Sequence, residues 1–154
     1  MLLVRPYAAA DLDDLIALFR DSVRRVARRD YSLEQVLAWA PDEIDREAWA
    51  LRLAASSVWV AAHRDRTAGF VTLEPNGHID MLYVHAALQG QGIACKLLER
   101  VEASARSRGL ARLFTEASIT ARPFFERRGF TVIQEQSVVR RGQKLANFRM
   151  DRPV

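Results

Sequence analysis

The chain of 154 residues has one cysteine, Cys95, and three scattered histidines, His63, His78 and His85. One cysteine excludes an internal disulfide, and these histidines lack zinc-ligand spacing, so no metal is expected. No run of 18 apolar residues is present, so no transmembrane helix and no membrane partner are expected. The N-terminus has no basic region ahead of its apolar residues, so a signal peptide is not expected and the cytoplasm is the expected location. Lysine is nearly missing: Lys96 and Lys144 are the only two among 23 basic residues, against 19 acidic ones, for a net charge of +4. A basic surface attracts polyanions. Nucleic acid is nevertheless not an expected partner, because there is neither a basic stripe interleaved with aromatics nor a groove-reading motif. Linkers, repeats and low-complexity tracts are also missing. With 49% apolar and 27% charged residues, the composition is that of one globular domain over residues 1–154.

Glycine is scarce, and two of the seven glycines stand together at the centre of the chain. The stretch from Gly77 to Gly109 reads as strand, loop and helix. Ile79 to Val84 carries β-branched and aromatic residues. Gly90 and Gly92 then allow a tight turn without a Cβ to hold a ligand away. Ala94, Leu97, Leu98, Val101 and Ala105 form one apolar helical stripe, and Gly109 stands at the helix C-terminus. A glycine loop opening a helix is suited to an anion such as a diphosphate, since the first helical N–H groups lack partners and the dipole is positive there. No Gly-Lys-Ser/Thr follows, which excludes a nucleoside-triphosphate loop, and two glycines fall short of the dinucleotide fingerprint. On spacing alone, an ordinary strand–helix connection stays open.

Around this centre, Leu2 to Tyr7 reads as a strand, and a long amphipathic helix follows with Asp11 as N-cap. Arg24, Arg25, Arg28 and Arg29 fall at its C-terminal end, either as a solvated helix end or as a wall of a binding site. Ser32 to Gln35 is a capping box for a second helix with Leu33, Val36, Leu37 and Ala40 on one face. Asp45 caps a third helix over Arg46 to Ala55. Strands are expected over Ser57–Ala62, Thr67–Leu73, Arg112–Glu116, Thr131–Val139 and Gln143–Met150, with a helix from Thr120 to Arg128.

Two motifs carry a family resemblance. Gln89-Gly90-Gln91-Gly92-Ile93-Ala94 is similar to the Gln/Arg-x-x-Gly-x-Gly/Ala signature of the GNAT superfamily of N-acetyltransferases, and Met81-Leu82-Tyr83-Val84 resembles the strand before it. Downstream, Ala121-Arg122-Pro123-Phe124-Phe125-Glu126-Arg127-Arg128-Gly129-Phe130 resembles the Ala-x-x-Phe-Tyr-Glu-x-x-Gly-Phe segment of that family, at the usual separation. The resemblance implies a single-domain α/β fold: a mixed, twisted sheet of about seven strands flanked by helices, splayed between strands four and five. It also implies acetyl-coenzyme A as co-substrate and transfer of its acetyl group to a primary amine within a ternary complex. By this resemblance the cofactor contacts are Leu82, Tyr83 and Val84 on strand four, then Gln89, Gly90, Gln91, Gly92, Ile93, Ala94 and Cys95 in the loop and first helical turn, then Ser118, Phe124 and Phe125.

Amine acetylation requires a deprotonated amine, a polarised thioester and a stabilised thiolate. Strand alternation places His78, Asp80, Leu82 and Val84 on one face. His78 or Asp80, acting directly or through water, is therefore the expected general base, with Glu116 and Glu74 in reserve. Phe125 departs from the family's tyrosine and has no proton to donate. Tyr83 is the nearest tyrosine, but alternation turns it to the opposite face. Ser118 stands where the family often has an asparagine for the pantetheine arm. Cys95 is either a small residue beside the diphosphate or a thiol at a helix start. The acceptor stays open among a small amine, an amino acid, an antibiotic amine and a protein lysine. The rival reading is a non-catalytic acyl-coenzyme A-binding or sensing module. The terminal hairpin offers an edge for pairing two chains into a homodimer.

Overall fold

A computed structural model describes residues 1–154. Seven strands form one sheet: β1 (Leu2–Pro6), β2 (Ser57–His63), β3 (Arg66–Leu73), β4 (His78–Val84), β5 (Arg112–Ser118), β6 (Thr131–Arg140) and β7 (Gln143–Pro153). Their spatial order is β1-β2-β3-β4-β5-β7-β6, and only β4 and β5 run parallel. Five helices cover the sheet: α1 (Leu12–Arg25), α2 (Leu33–Trp39), α3 (Arg46–Ala54), α4 (Ile93–Ser107) and α5 (Arg122–Arg127). None is long and apolar enough to cross a membrane.

Local chemistry accounts for most of these boundaries. Ser32 Oγ accepts the Gln35 N–H at 3.1 Å while Gln35 Oε1 accepts the Ser32 N–H at 2.7 Å, which is the reciprocal box that opens α2. Asp45 Oδ1 accepts the Ala48 N–H at 3.0 Å and opens α3. Asp11 behaves differently from the expected N-cap. Its carboxylate takes both arms of the Arg5 guanidinium at 2.8 Å and the Ala8 N–H at 2.8 Å, so it closes the turn before α1 rather than the helix itself. The α2 face is also rotated from the expected one: Val36 and Ala40 are buried, whereas Leu33 and Leu37 are exposed. Tertiary packing selected the narrower stripe.

Two apolar layers sandwich the sheet. On one face Leu15, Phe19 and Val23 of α1 pack with Val36, Trp49, Leu53, Val60, Phe70 and Met81. On the other, Leu97, Leu98 and Val101 of α4 pack with Val71, Ile79, Leu113, Phe125, Phe130 and Met150. β1 and β6 are the two edge strands, and Ile133 and Val139 of β6 are exposed.

Two irregularities in β4 shape the molecule. First, β4 pairs with β5 only through His78↔Phe114 and Ile79↔Thr115. Beyond that point the strands diverge, the splay implied by the resemblance, and Asp80 to Val84 lack a partner on that edge. Second, Val71 pairs with Leu82 but Leu73 pairs with Ile79, so Thr72 alone faces Asp80 and Met81. The Thr72 hydroxyl accepts the Met81 N–H at 3.0 Å inside this bulge. The extra residue overturns the expected alternation. Ile79, Leu82 and Val84 face α4, whereas Met81 and Tyr83 face α1. Asp80 therefore shares a face with Met81 and Tyr83, not with Leu82 and Val84.

Candidate active site

Two clefts open where β4 and β5 part. The first, of about 410 Å³, follows the glycine loop and the start of α4. Gly90 and Gly92 have φ of 76° and 79°, and a Cβ at either would meet nothing within 4 Å. Glycine is needed here for the left-handed backbone and not for packing. Gln89 Nε2 donates to the Val84 carbonyl at 2.9 Å and so anchors the loop to the end of β4. The first intrahelical bond of α4 runs from the Lys96 N–H to the Gly92 carbonyl. The amides of Ile93, Ala94 and Cys95 precede it and have no helical acceptors, which leaves them for an anion. Arg29 and Arg127 add positive charge to the lining. Of the four arginines at the end of α1, Arg29 alone reaches this cleft; Arg24 is tied to Ala40 and Asp42, and Arg28 to Tyr31.

Leu82, Tyr83, Val84, Gln89, Gly90, Gly92, Ile93, Ala94, Cys95, Ser118 and Phe124 all line this cleft. Gln91 and Phe125 do not. Gln91 is exposed at the loop tip, and Phe125 is 3% exposed, packed edge-on to Phe124 and Phe130. A side chain at position 125 is thus part of the α4-side core. Cys95 Sγ lies against the Arg128 guanidinium.

The second cleft, of about 740 Å³, lies between α2, α3 and the β6–β7 hairpin. Trp39, Trp49, Tyr31 and Phe19 supply an apolar wall, and Asp80, Glu116 and several arginines supply charge. Trp39, Tyr83 and Ser118 border both clefts and mark their junction. Tyr83 packs against Phe19, Phe70 and Trp39 with ring centroids 5.1, 5.8 and 6.4 Å away. Burial pushes its phenol well above the usual range, so it keeps its proton. The Ser118 hydroxyl accepts the Ala121 N–H at 3.0 Å and has its own proton left to donate.

At the mouth of the splay, His78 is held between two carboxylates. Nε2 meets Glu116 Oε1 at 2.8 Å, Nδ1 meets Glu74, and the ring stacks on Phe114. The bond to Glu116 and then that to Glu74 outweigh burial and raise the imidazole from 6.5 to about 9. His78 is therefore an imidazolium at neutral pH, with both N–H groups donating. Beside it, the Arg52 Nε–H donates to Asp80 Oδ2 at 2.6 Å, and this bond raises the Arg52 guanidinium. Glu74, His78 and Asp80 lie close enough to share an ion. The set fits a metal poorly, because the imidazolium and Arg52 already supply the cations.

Sequence reasoning missed Arg52 and Arg127 as lining residues, and left Arg29 open between a solvated helix end and a binding-site wall and Trp39 open between core and pocket lining. Arg52 and Trp39 sit on helices whose apolar spacing suggested core and solvent faces, and no local motif marks them.

Comparison with known proteins bears on the family and the fold. Residues 27–152 match the family model of the acetyltransferase (GNAT) domain. The chain is 38% identical to the uncharacterized N-acetyltransferase YafP of Escherichia coli K12, over 96% of this chain and 93% of that one. A GCN5-related N-acetyltransferase structure from Rhodopseudomonas palustris superimposes with a TM-score of 0.95 at 34% identity, covering 99% of this chain and 95% of that one. The fold is also that of the PaiA N-acetyltransferase of Thermoplasma acidophilum, solved in complex with coenzyme A, with a TM-score of 0.81 at 19% identity and coverage of 100% and 99%. The glycine loop, the splayed β4 and β5 and the match over most of the chain lead to one conclusion: this protein belongs to the GNAT family of acetyltransferases.

Proposed function

We propose that the protein transfers the acetyl group of acetyl-coenzyme A to a primary amine by direct attack in a ternary complex. The observation that carries this reading is the pair of clefts on either side of the splay, joined at Trp39, Tyr83 and Ser118. The loop cleft takes acetyl-coenzyme A. Its diphosphate sits on the amides of Ile93 to Cys95 with Arg29 and Arg127 nearby, and its pantetheine arm runs along Leu82 and Val84. The amine enters through the hairpin cleft and attacks the carbonyl carbon; the new C–N bond forms as the C–S bond breaks.

An imidazolium cannot accept the amine proton, so the base role falls to Asp80, acting through water. His78 instead holds Glu116 in place and keeps the carboxylate cluster compact. The departing thiolate meets the Tyr83 O–H at the junction, which supplies the donor that Phe125 lacks. Because that phenol is held above its usual range, it stabilises the thiolate as a hydrogen-bond donor without giving up its proton.

Phe125 also favours the rival reading, an acyl-coenzyme A-binding or sensing module, since its position offers no proton donor. Calorimetric titration of acetyl-coenzyme A, paired with thiol release over an amine panel, separates the two. Binding with release supports the transferase. Binding with no release from any amine supports the sensor, and absence of binding removes both.

A further inference from the structure

The hairpin cleft contains positive charge for which acetyl transfer has no use. Its carboxylates are all engaged: Asp80 with Arg52, Glu116 with His78, and Asp45 with the Ala48 N–H. Arg140, Arg141 and Arg149 also line the cleft, and each makes its hydrogen bond to a neutral acceptor. Arg140 donates to the Val139 carbonyl at 3.1 Å, Arg141 to the Ala38 carbonyl at 2.7 Å, and Arg149 to Gln134 Oε1 at 3.1 Å. A guanidinium has five N–H donors, so most of this capacity is unspent.

One acceptor in the same cleft is also unspent. Asn147 Oδ1 is buried and has no hydrogen-bond partner. Ser118 pairs with Asn147 across β5 and β7, which puts this oxygen beside the junction where the amine must arrive. A buried, unpaired carbonyl oxygen asks for an N–H donor.

The sheet register sets the spacing between these groups. Asn147 and Arg149 share a face of β7, roughly 7 Å apart along the strand. Asn147 pairs with Gln136 on β6, and Arg140 lies four residues on, roughly 13 Å along the same face. Because β6 and β7 run antiparallel, Arg149 and Arg140 lie on opposite sides of Asn147, and Trp39 and Trp49 line the same cleft. The cleft thus has an N–H acceptor beside the junction, apolar walls, and a guanidinium without an anionic partner to either side of that acceptor along the sheet.

We infer that the acceptor is a primary amine carrying a carboxylate or similar anionic group on an apolar body. Its N–H bonds to Asn147 Oδ1, and its anion bonds to Arg149 in a short acceptor or to Arg140 in a longer one. This assignment rests on the acetyl-transfer reading of the same cleft.

The test uses two matched pairs, L-phenylalanine against phenethylamine and 4-(aminomethyl)benzoate against benzylamine. Binding to the coenzyme A-loaded protein is followed by tryptophan fluorescence, and thiol release from acetyl-coenzyme A is followed separately. In at least one pair the acid is expected to bind about 10- to 100-fold tighter than its neutral partner. Arg149→Gln or Arg140→Gln should bring that ratio to about 1. Equal affinities, preference for the neutral amine, or no binding by any of the four would overturn the inference. A ratio indifferent to both substitutions would overturn it as well. Thiol release judges the transferase reading independently: an acid that binds with no turnover supports the anion site and counts against acetyl transfer.

Discussion

Replacing His78 by glutamine tests the electrostatics at the mouth of the splay. The folded protein holds the imidazole at about 9, against 6.5 when unperturbed. Between these values the native state retains a proton that the unfolded chain has released, so stability falls as pH rises through this window. The contribution is complete below pH 6.5 and gone above about pH 9. The full rise corresponds to at most ~3 kcal/mol. Glu74 and Glu116 are 36% and 39% exposed, so water screens both pairs, and about 2 kcal/mol is the working figure. Urea unfolding at pH 6, 8 and 10 measures it directly. Titration of the groups that do not touch His78 is common to both proteins, and packing differences displace one curve from the other without changing its slope. The native protein should therefore lose about 2 kcal/mol more than His78→Gln between pH 6 and pH 10. A gap between the two curves that stays constant, or that widens as pH rises, would refute the argument. So would an NMR titration of the His78 ring with a midpoint near 6.5.

Three further outcomes follow from the site. Asp80→Asn should lower thiol release by about 100-fold while acetyl-coenzyme A still binds, because the loop cleft is untouched; unchanged turnover would take the base role away from Asp80. Tyr83→Phe should cost about 10-fold in turnover, the value of one hydrogen bond to the thiolate, with little change in coenzyme A affinity. Gly92→Ala strains a backbone at φ 79° by ~1–2 kcal/mol and disturbs the loop, so titration should show coenzyme A affinity about 10-fold weaker.

What the sequence by itself determined is chiefly local. The Ser32–Gln35 box, the Asp45 cap, the left-handed glycines at 90 and 92 and the apolar stripe of α4 each depend on residues within one or two turns of one another, and all are legible from spacing. The two family motifs added the sheet and its splay. Tertiary structure alone decided which way the β4 side chains face. One extra residue opposite Thr72 reversed the alternation, bringing Tyr83 to the side of Asp80 and carrying Leu82 and Val84 away. A bulge is set by the partner strand, and the sequence of β4 carries no mark of it. The charge state of His78 was hidden for a related reason: Glu116 is 38 residues distant in sequence, and only the short parallel pairing of β4 with β5 brings it to 2.8 Å. Long-range pairing of this kind sets proton affinities, and no window of local sequence contains it.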